Sequence, residues 1–304
     1  MGMVSKQFDE NLAHLAWSLW TELGVAGLER NHQACSIAPE ELIILTSALS
    51  EFDPRLRDEA LDWCIQYHRF ISPIRLQILA KQYAEYIAKP FSIFSATLNA
   101  ITNIRTKWVV LTKILPLKFQ PSGKSVLRTF EAPAMIHFRL RCFLSIGARA
   151  DIFAFLLTEE REDFVVSDLL ETGYSKRHLA IILDDLAAAG ILSRSMIRNQ
   201  WHYTFVRREQ LISLLGDIPK MVHWHRILAV ILPIRACLQE VEDAPIGVRA
   251  IDMRNLLNKL SYPLLQIKLK APPLQSDLEA YWNHVTKWIL DFSATLLIKR
   301  QVNH

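Results

Sequence analysis

The chain has 304 residues, of which 51% are hydrophobic, and a net charge of +4. That length suggests two or three domains, and the composition gives ample material for buried cores. Met1 to Glu10 carries acids and no apolar stretch of the kind a secretory leader needs. The longest apolar run, Ile227 to Ile234, lies between Arg226 and Arg235 and falls short of the roughly 20 residues that span a bilayer. A cytoplasmic protein without membrane association is expected.

Cys35, Cys64, Cys142 and Cys237 are scattered with no C-x-x-C pair, so neither a zinc knuckle nor a dithiol is supported. Each is expected to be a buried small residue. Charge is uneven. Residues 1 to 60 hold ten acids against Lys6, Arg30, Arg55 and Arg57. Residues 101 to 150 hold nine basic residues, from Arg105 to Arg149, against Glu131 alone. Such asymmetry points either to a polyanion partner or to a solvated face balanced by the acidic N-terminus.

Along the chain the pattern is mostly helical. Phe8 to Leu23 places Leu12, Leu15, Ala16, Leu19 and Leu23 on one face, and Gly24 can end it. Ala38-Pro39 opens a helix through Leu49. Asp53-Pro54 and Ser72-Pro73 each join a capping side chain to a proline at the first helical position. Their helices are expected to reach about Tyr67 and Ala88. Pro90 should break the second, and another helix should follow from Phe91 to about Leu115. Trp17, Trp20, Trp63 and Tyr67 are the expected core of an N-terminal helical domain, residues 1–115.

Residues 116–133, with three prolines and Gly123, read as a basic linker. Ser122-Gly123-Lys124-Ser125 has the ending of a phosphate-binding loop, but Lys118 stands where that motif needs glycine, so nucleotide binding is rejected. Met135 to Leu157 reads as one or two helices jointed at Gly147, and Val165 to Leu170 as a short one. Ser175 can cap the next helix, on which Leu179, Ile182, Leu183 and Leu186 form one apolar face. Gly190 ends it. Two strand-like runs, Leu192 to Met196 and Trp201 to Phe205, flank a polar turn at Arg198-Asn199-Gln200. Further on, helices are expected at Glu209 to Leu215, Ile218 to Cys237 with a kink at Pro233, Asp252 to Leu260, and Ser276 to Arg300. Ala271-Pro272-Pro273 is a stiff joint.

Helix, turn with glycine, helix and hairpin is the order of a winged helix-turn-helix. Tyr174-Ser175-Lys176-Arg177-His178-Leu179, continued by Leu186-Ala187-Ala188-Ala189-Gly190-Ile191-Leu192, resembles the recognition helix and wing entry of ArsR- and MarR-like transcriptional regulators. The resemblance covers roughly Arg139 to Arg208. The expected fold is therefore mainly α: a central winged helix-turn-helix with a two-stranded wing (134–208), flanked by an N-terminal and a C-terminal (209–304) helical segment.

What the resemblance implies is DNA binding. Lys176, Arg177, His178 and Ala180 match the groove-facing start of the recognition helix, with Ser175 able to donate to a phosphate. Arg198 matches a wing-tip residue, beside Asn199 and Gln200, and Arg194 and His202 lie on the wing. Arg207 and Arg208 add to a locally basic face. Ile181 and Asp184 depart from the pattern and fit a protein contact instead. The resemblance also gives the helix at 276–300 a homodimer role, against which stands packing within its own domain. Leu278, Tyr281, Trp282, Val285, Ile289, Phe292 and Leu296 form its stripe.

No metal site is expected: His223 and His225 are two apart and would diverge on a helix, and His284 stands alone. No cofactor is implied. No G-x-S-x-G, no H-E-x-x-H and no close carboxylate pair is present, and nine glycines are few for a phosphate cradle, so no enzyme is expected. His14, His68 and His137 read as structural. Two functions compete: a transcriptional regulator that contacts double-stranded DNA, and an adapter or antitoxin-like module that uses the same scaffold for a protein partner.

Overall fold

The computed structural model describes residues 2–27, 32, 35–220 and 222–298. The chain is mainly helical, with one small antiparallel sheet. Five helices open it: α1 Met3–Glu22, α2 Pro39–Leu49, α3 Pro54–Tyr67, α4 Pro73–Gln82 and α5 Ala84–Ile101. The caps form as the sequence predicts. Asp53 accepts from the Leu56 amide at 2.9 Å and Ser72 from the Arg75 amide at 3.3 Å. Every residue of α2 is buried, so it is the central rod of the first core.

Pro90 does not end a helix. It lies inside α5, and the break falls at Tyr83, whose φ of −103° and ψ of 16° leave the helical region. Ile87, Phe91, Phe94 and Leu98 are all fully buried across the proline. Their packing holds α5 together despite the missing amide. The expected helix to Leu115 stops at Ile101.

From Thr102 to Ala132 the chain has almost no regular structure, yet it is bonded to the helices along its length. Ser92 Oγ on α5 accepts from the amides of Leu111 and Thr112 at 2.9 and 3.0 Å, and Thr97 Oγ1 accepts from Leu117 at 2.9 Å. Asp62 on α3 accepts from Ser122 and Gly123 at 2.5 and 3.0 Å. Side-chain acceptors thus replace the backbone partners an irregular segment lacks. At Gly24, φ is +97°, and a Cβ there would sit 1.8 Å from the Val126 carbonyl oxygen. Only glycine lets this strap lie against the end of α1.

After a 3-10 turn at Pro133–Met135 come α6 Ile136–Leu144 and α7 Ala148–Thr158, jointed at Gly147 as predicted. Next are β1 Asp163–Phe164, a 3-10 helix Val166–Thr172, α8 Lys176–Ala188, and the hairpin β2 Leu192–Ile197 and β3 Gln200–Phe205. The sheet order is β1-β3-β2, with Phe164 opposite Tyr203 and Arg194 also opposite Tyr203. β1 is an addition to the two predicted strands; at two residues it is too short to show an alternation.

The chain closes with α9 Arg208–Leu215, α10 Trp224–Glu240, α11 Ile246–Lys259, α12 Ser261–Gln266 and α13 Leu278–Ile298. α10 starts six residues later than expected, since Pro219 and the bridge between Cys35 and Lys220 keep that approach extended. α11 starts earlier than expected, after Pro245, and α12 was not anticipated. The predicted final residues of the last helix, 299 and 300, lie outside the described residues.

Two hydrophobic clusters result. The first joins α1–α5 to α10–α13, so both ends of the chain meet in one core. The second holds α7, α8, the sheet and one face of α6. α6 serves both: Phe138 packs in the first, Ile136 and Leu140 in the second. Trp20 and Trp63, 5.4 Å apart, anchor the first core, and their indole N–H groups reach Thr46 Oγ1 and the Leu23 carbonyl at 2.8 and 2.9 Å. Trp17 and Tyr67 are only partly buried at its edge.

The α13 stripe is used inside this core. Tyr281, Trp282, Val285, Ile289 and Phe292 are buried, and α13 packs on α1 and α11. That occupies the face the resemblance assigned to a homodimer. Cys35 and Cys64 are buried as expected, but Cys142 is exposed, because it falls on the outer side of α6. Among the described residues no helix is long and apolar enough to cross a membrane.

Candidate nucleic-acid interface

α8 is built as its sequence dictates. Ser175 Oγ accepts from the His178 amide at 3.3 Å, and Leu179, Ile182, Leu183 and Leu186 are buried. Its end is a Schellman motif: Ile191 N–H donates to the Leu186 carbonyl and Gly190 N–H to that of Ala187, both at 3.0 Å, with Gly190 at φ +70°. The hairpin turn is tighter than predicted. Arg198 and Asn199 alone form it, at φ +46° and +62°, while Gln200 already belongs to β3. Two residues at positive φ match the strand twist as a type I′ turn.

The predicted contact residues fall into two groups. Ser175, Lys176, Arg177 and His178 are exposed at the start of α8, with Ala180 half-buried beside them. Lys176 and Arg177 make no ion pair among the described residues. Arg198, Asn199 and Gln200 are exposed at the tip of the hairpin. Arg194 is different. It donates to Asp184 at 2.7 Å and lies 4.1 Å over the Trp201 ring, so it is committed within the wing. His202 is likewise tied to Asp163 at 2.7 Å, and Arg208 braces the Leu157 and Glu159 carbonyls at 2.8 and 2.7 Å.

The two acids of α8 are answered from within. Asp184 accepts from Arg194 and from Tyr203 Oη at 2.8 Å. Asp185 pairs with Arg149 at 2.5 Å. Desolvation would raise the Asp184 carboxyl, but Arg194 and Tyr203 outweigh it and hold it below the ordinary value. Ile181, at 51% exposure, stays open to solvent, as do Met196 and Trp201 on the wing.

The basic block before α8 is divided: Arg105, Lys113, Lys118 and Lys124 are exposed and make no ion pair among the described residues, while Lys107, Arg139 and Arg141 are committed within the fold. Arg139 donates to the carbonyls of Phe130, Glu131 and Ala132, and Lys107 to those of Asn99 and Thr102. Arg141 is buried. Lys107 and Arg139 satisfy carbonyls of the irregular strap and of a helix end, which such a segment cannot pair by itself.

Arg141 belongs to a buried charge network that sequence reasoning missed. It donates to Glu40 at 2.8 and 3.1 Å, to Asp151 at 2.9 Å and to the Phe70 carbonyl at 2.7 Å. Arg75 pairs with Glu41 and donates to the Thr172 carbonyl at 2.6 Å. Tyr174 Oη donates to Asp151 at 2.8 Å. Thr172 and Tyr174 flank Gly173, the turn before α8. The network therefore ties α2 and α4 of the first core to the entry of α8. Burial raises the Glu40 carboxyl above its usual range. Burial would also raise Asp151, but Arg141 and Arg75 reverse that and leave it low. His137, buried beside them, is pushed down to about 4 by burial and by Arg141. The available signal was a charged residue inside an apolar run: Glu40-Glu41 before Leu42-Ile43-Ile44-Leu45, and Asp151 within 148–157.

A second cluster corrects the reading of His223 and His225. His223 precedes α10 at φ −76° and ψ 71°, so helical spacing does not govern the pair. Both rings reach Glu171 of the 3-10 helix, at 2.5 and 3.3 Å, and His223 also meets Glu159 at 3.0 Å. Arg226 completes the set on Glu171 at 2.5 Å. Glu159, Glu171 and His223 offer ligand atoms within 4.8 Å of one another, a geometry that could hold a metal ion. In the described arrangement the imidazole and the Arg226 guanidinium already balance both carboxylates. The chain matches no family model, and neither a curated protein nor a solved structure matches it significantly.

Proposed function

We propose that residues 148–205 are a winged helix-turn-helix and that the protein is a regulator that contacts duplex DNA through α8 and its hairpin. The order α7, β1, 3-10 helix, α8, β2, β3 with strand order β1-β3-β2 supports the fold reading. The observation that carries the function is the state of charge on α8. Lys176 and Arg177 stand exposed and unpaired among the described residues at its start, while Asp184 and Asp185 farther along are neutralised by Arg194 and Arg149. A cationic helix start and a polar hairpin tip are what phosphate contacts require. Arg194, held against Asp184, serves the wing's shape in this reading and not the contact.

A protein partner is the second reading, and the exposure of Ile181, Met196 and Trp201, at 51%, 54% and 40%, favours it. One experiment separates the two. Binding to duplex DNA from the gene's upstream region is measured across a salt series, for the wild type and for Lys176→Ala with Arg177→Ala. Loss of two phosphate contacts should flatten the salt slope by about 2 and weaken binding to all sequences. Absence of binding at low salt, or an unchanged slope in the variant, would sink the DNA reading.

A further inference from the structure

A cavity of about 570 Å³ opens between the loop that follows α7 and the helices α10, α12 and α13. Its size lies within the range of small-molecule sites, about 300–1,000 Å³. Its wall is apolar, with Val222, Ile227, Ile267 and Phe292, while its charged lining residues are Arg161, Arg226, Lys268, His223 and one acid, Glu159. Most of these charges are spoken for. Arg161 pairs with Asp168 at 3.1 Å, Arg226 with Glu171, and Glu159 with His223. Lys268 is exposed and has no ion partner among the described residues.

Lys268 also stands in the wrong conformation for its side chain. It follows α12 at φ +56°, donates its amide to the Leu265 carbonyl at 3.0 Å, and is followed by Leu269, which donates to Leu264 at 2.9 Å. That is the Schellman motif again, and Lys268 occupies the position that Gly190 fills after α8. Glycine would be the stable choice there. A strained residue that brings an uncommitted cation to the mouth of an apolar cavity is the pattern of a ligand clamp.

We propose that this cavity binds a small amphipathic anion, a carboxylate with an apolar body, whose head meets Lys268 and whose body lies against Ile227, Ile267 and Phe292. The inference goes beyond the nucleic-acid reading and stands without it. The charge is complementary: an apolar wall alone would take a neutral molecule, and the uncommitted Lys268 at the rim selects an anion.

The test is calorimetric titration of the full chain with decanoate, decanol and decyltrimethylammonium, repeated with Lys268→Gly. Decanoate should bind saturably at one site, about tenfold or more tighter than decanol, with no binding of the cation. Lys268→Gly should lose about that factor for decanoate while its thermal midpoint stays level or rises, because the backbone strain is relieved. Equal binding of decanoate and decanol, absence of saturation, or unchanged decanoate affinity in Lys268→Gly would each overturn the proposal. None of these outcomes depends on DNA.

Discussion

Replacing Arg141 by methionine is the sharpest probe of how the two cores are joined. Arg141 is 3% exposed and donates to two carboxylates and a carbonyl. Methionine keeps the length and removes the charge, which leaves Glu40 without its bidentate partner and Asp151 with Tyr174 as its remaining close donor. Breaking a buried ion pair from one side costs about 3–5 kcal/mol. The Phe70 carbonyl, stripped of its donor, adds about 1 kcal/mol. The expected loss is therefore about 4–6 kcal/mol, a large share of the 5–15 kcal/mol typical of a folded domain. Urea unfolding followed by tryptophan fluorescence reads it directly. The loss should also depend on pH. Burial already holds the Glu40 carboxyl above its usual 4.5, and without Arg141 it rises further. A carboxyl raised in the folded state binds its proton more tightly there. Its penalty is thus small below 4.5 and full once pH exceeds the folded value. The gap between wild type and variant should narrow as pH falls toward 4.5. A loss under about 1 kcal/mol at neutral pH, or one that does not narrow in acid, would refute the assignment of Arg141 as the charge that holds these carboxylates.

Gly24→Ala should destabilise by about 3 kcal/mol or more, since it combines a left-handed backbone with a clash against the Val126 carbonyl. Thermal unfolding measures this, and a change within about 0.5 kcal/mol would mean that the strap does not lie against α1. His223→Gln tests the second cluster. Burial would lower the imidazole, but hydrogen bonds to Glu159 and Glu171 override it and hold its pKa above the ordinary 6.5. A raised histidine stabilises in full below 6.5, and the contribution is lost as pH rises through the folded value. His225 and Arg226 also face Glu171. The stability gap between wild type and His223→Gln should be larger near pH ~6 than near pH ~9, and a gap independent of pH would remove His223 from the ion cluster.

Local signals are legible where a single residue type settles the backbone. Asp53-Pro54, Ser72-Pro73, Ser175 and Gly190 each determine a cap by their own chemistry, and α3, α4 and α8 begin where the first three place them. Signals that compete with tertiary packing are not legible. Pro90 argues for a break, yet Ile87, Phe91 and Phe94 bury one continuous face across it. The strap from 102 to 132 was legible only as prolines and cations, because its partners, Asp62, Ser92 and Thr97, lie tens of residues away on surfaces that local pattern does not reveal. The candidate interface divided the same way. Exposure of Lys176 and Arg177 follows from helical periodicity. The commitment of Arg194 to Asp184 depends on how the hairpin folds over α8, and the pairing of Asp185 with Arg149 on how α7 is set beside it.

The placement of the buried charges bears on why they are there at all. Apolar contact is non-directional, so packing through α6 does not by itself fix the angle at which α8 leaves the first core. Hydrogen bonds to fixed carbonyls and carboxylates do not allow that freedom. Arg75 holds Thr172 and Asp151 holds Tyr174, one on each side of Gly173. Taking those ions out of water offsets much of their attraction, so stability alone is a weak reason to keep them. Their geometric effect is specific: the turn that sets the direction of α8 is held by Arg75 of α4 on one side and by Asp151 of α7 on the other, and Arg141 ties Asp151 to Glu40 of α2. Lys176 and Arg177 begin two residues beyond that clamp. Whatever meets them, DNA or protein, meets a helix start whose orientation is set by the first core.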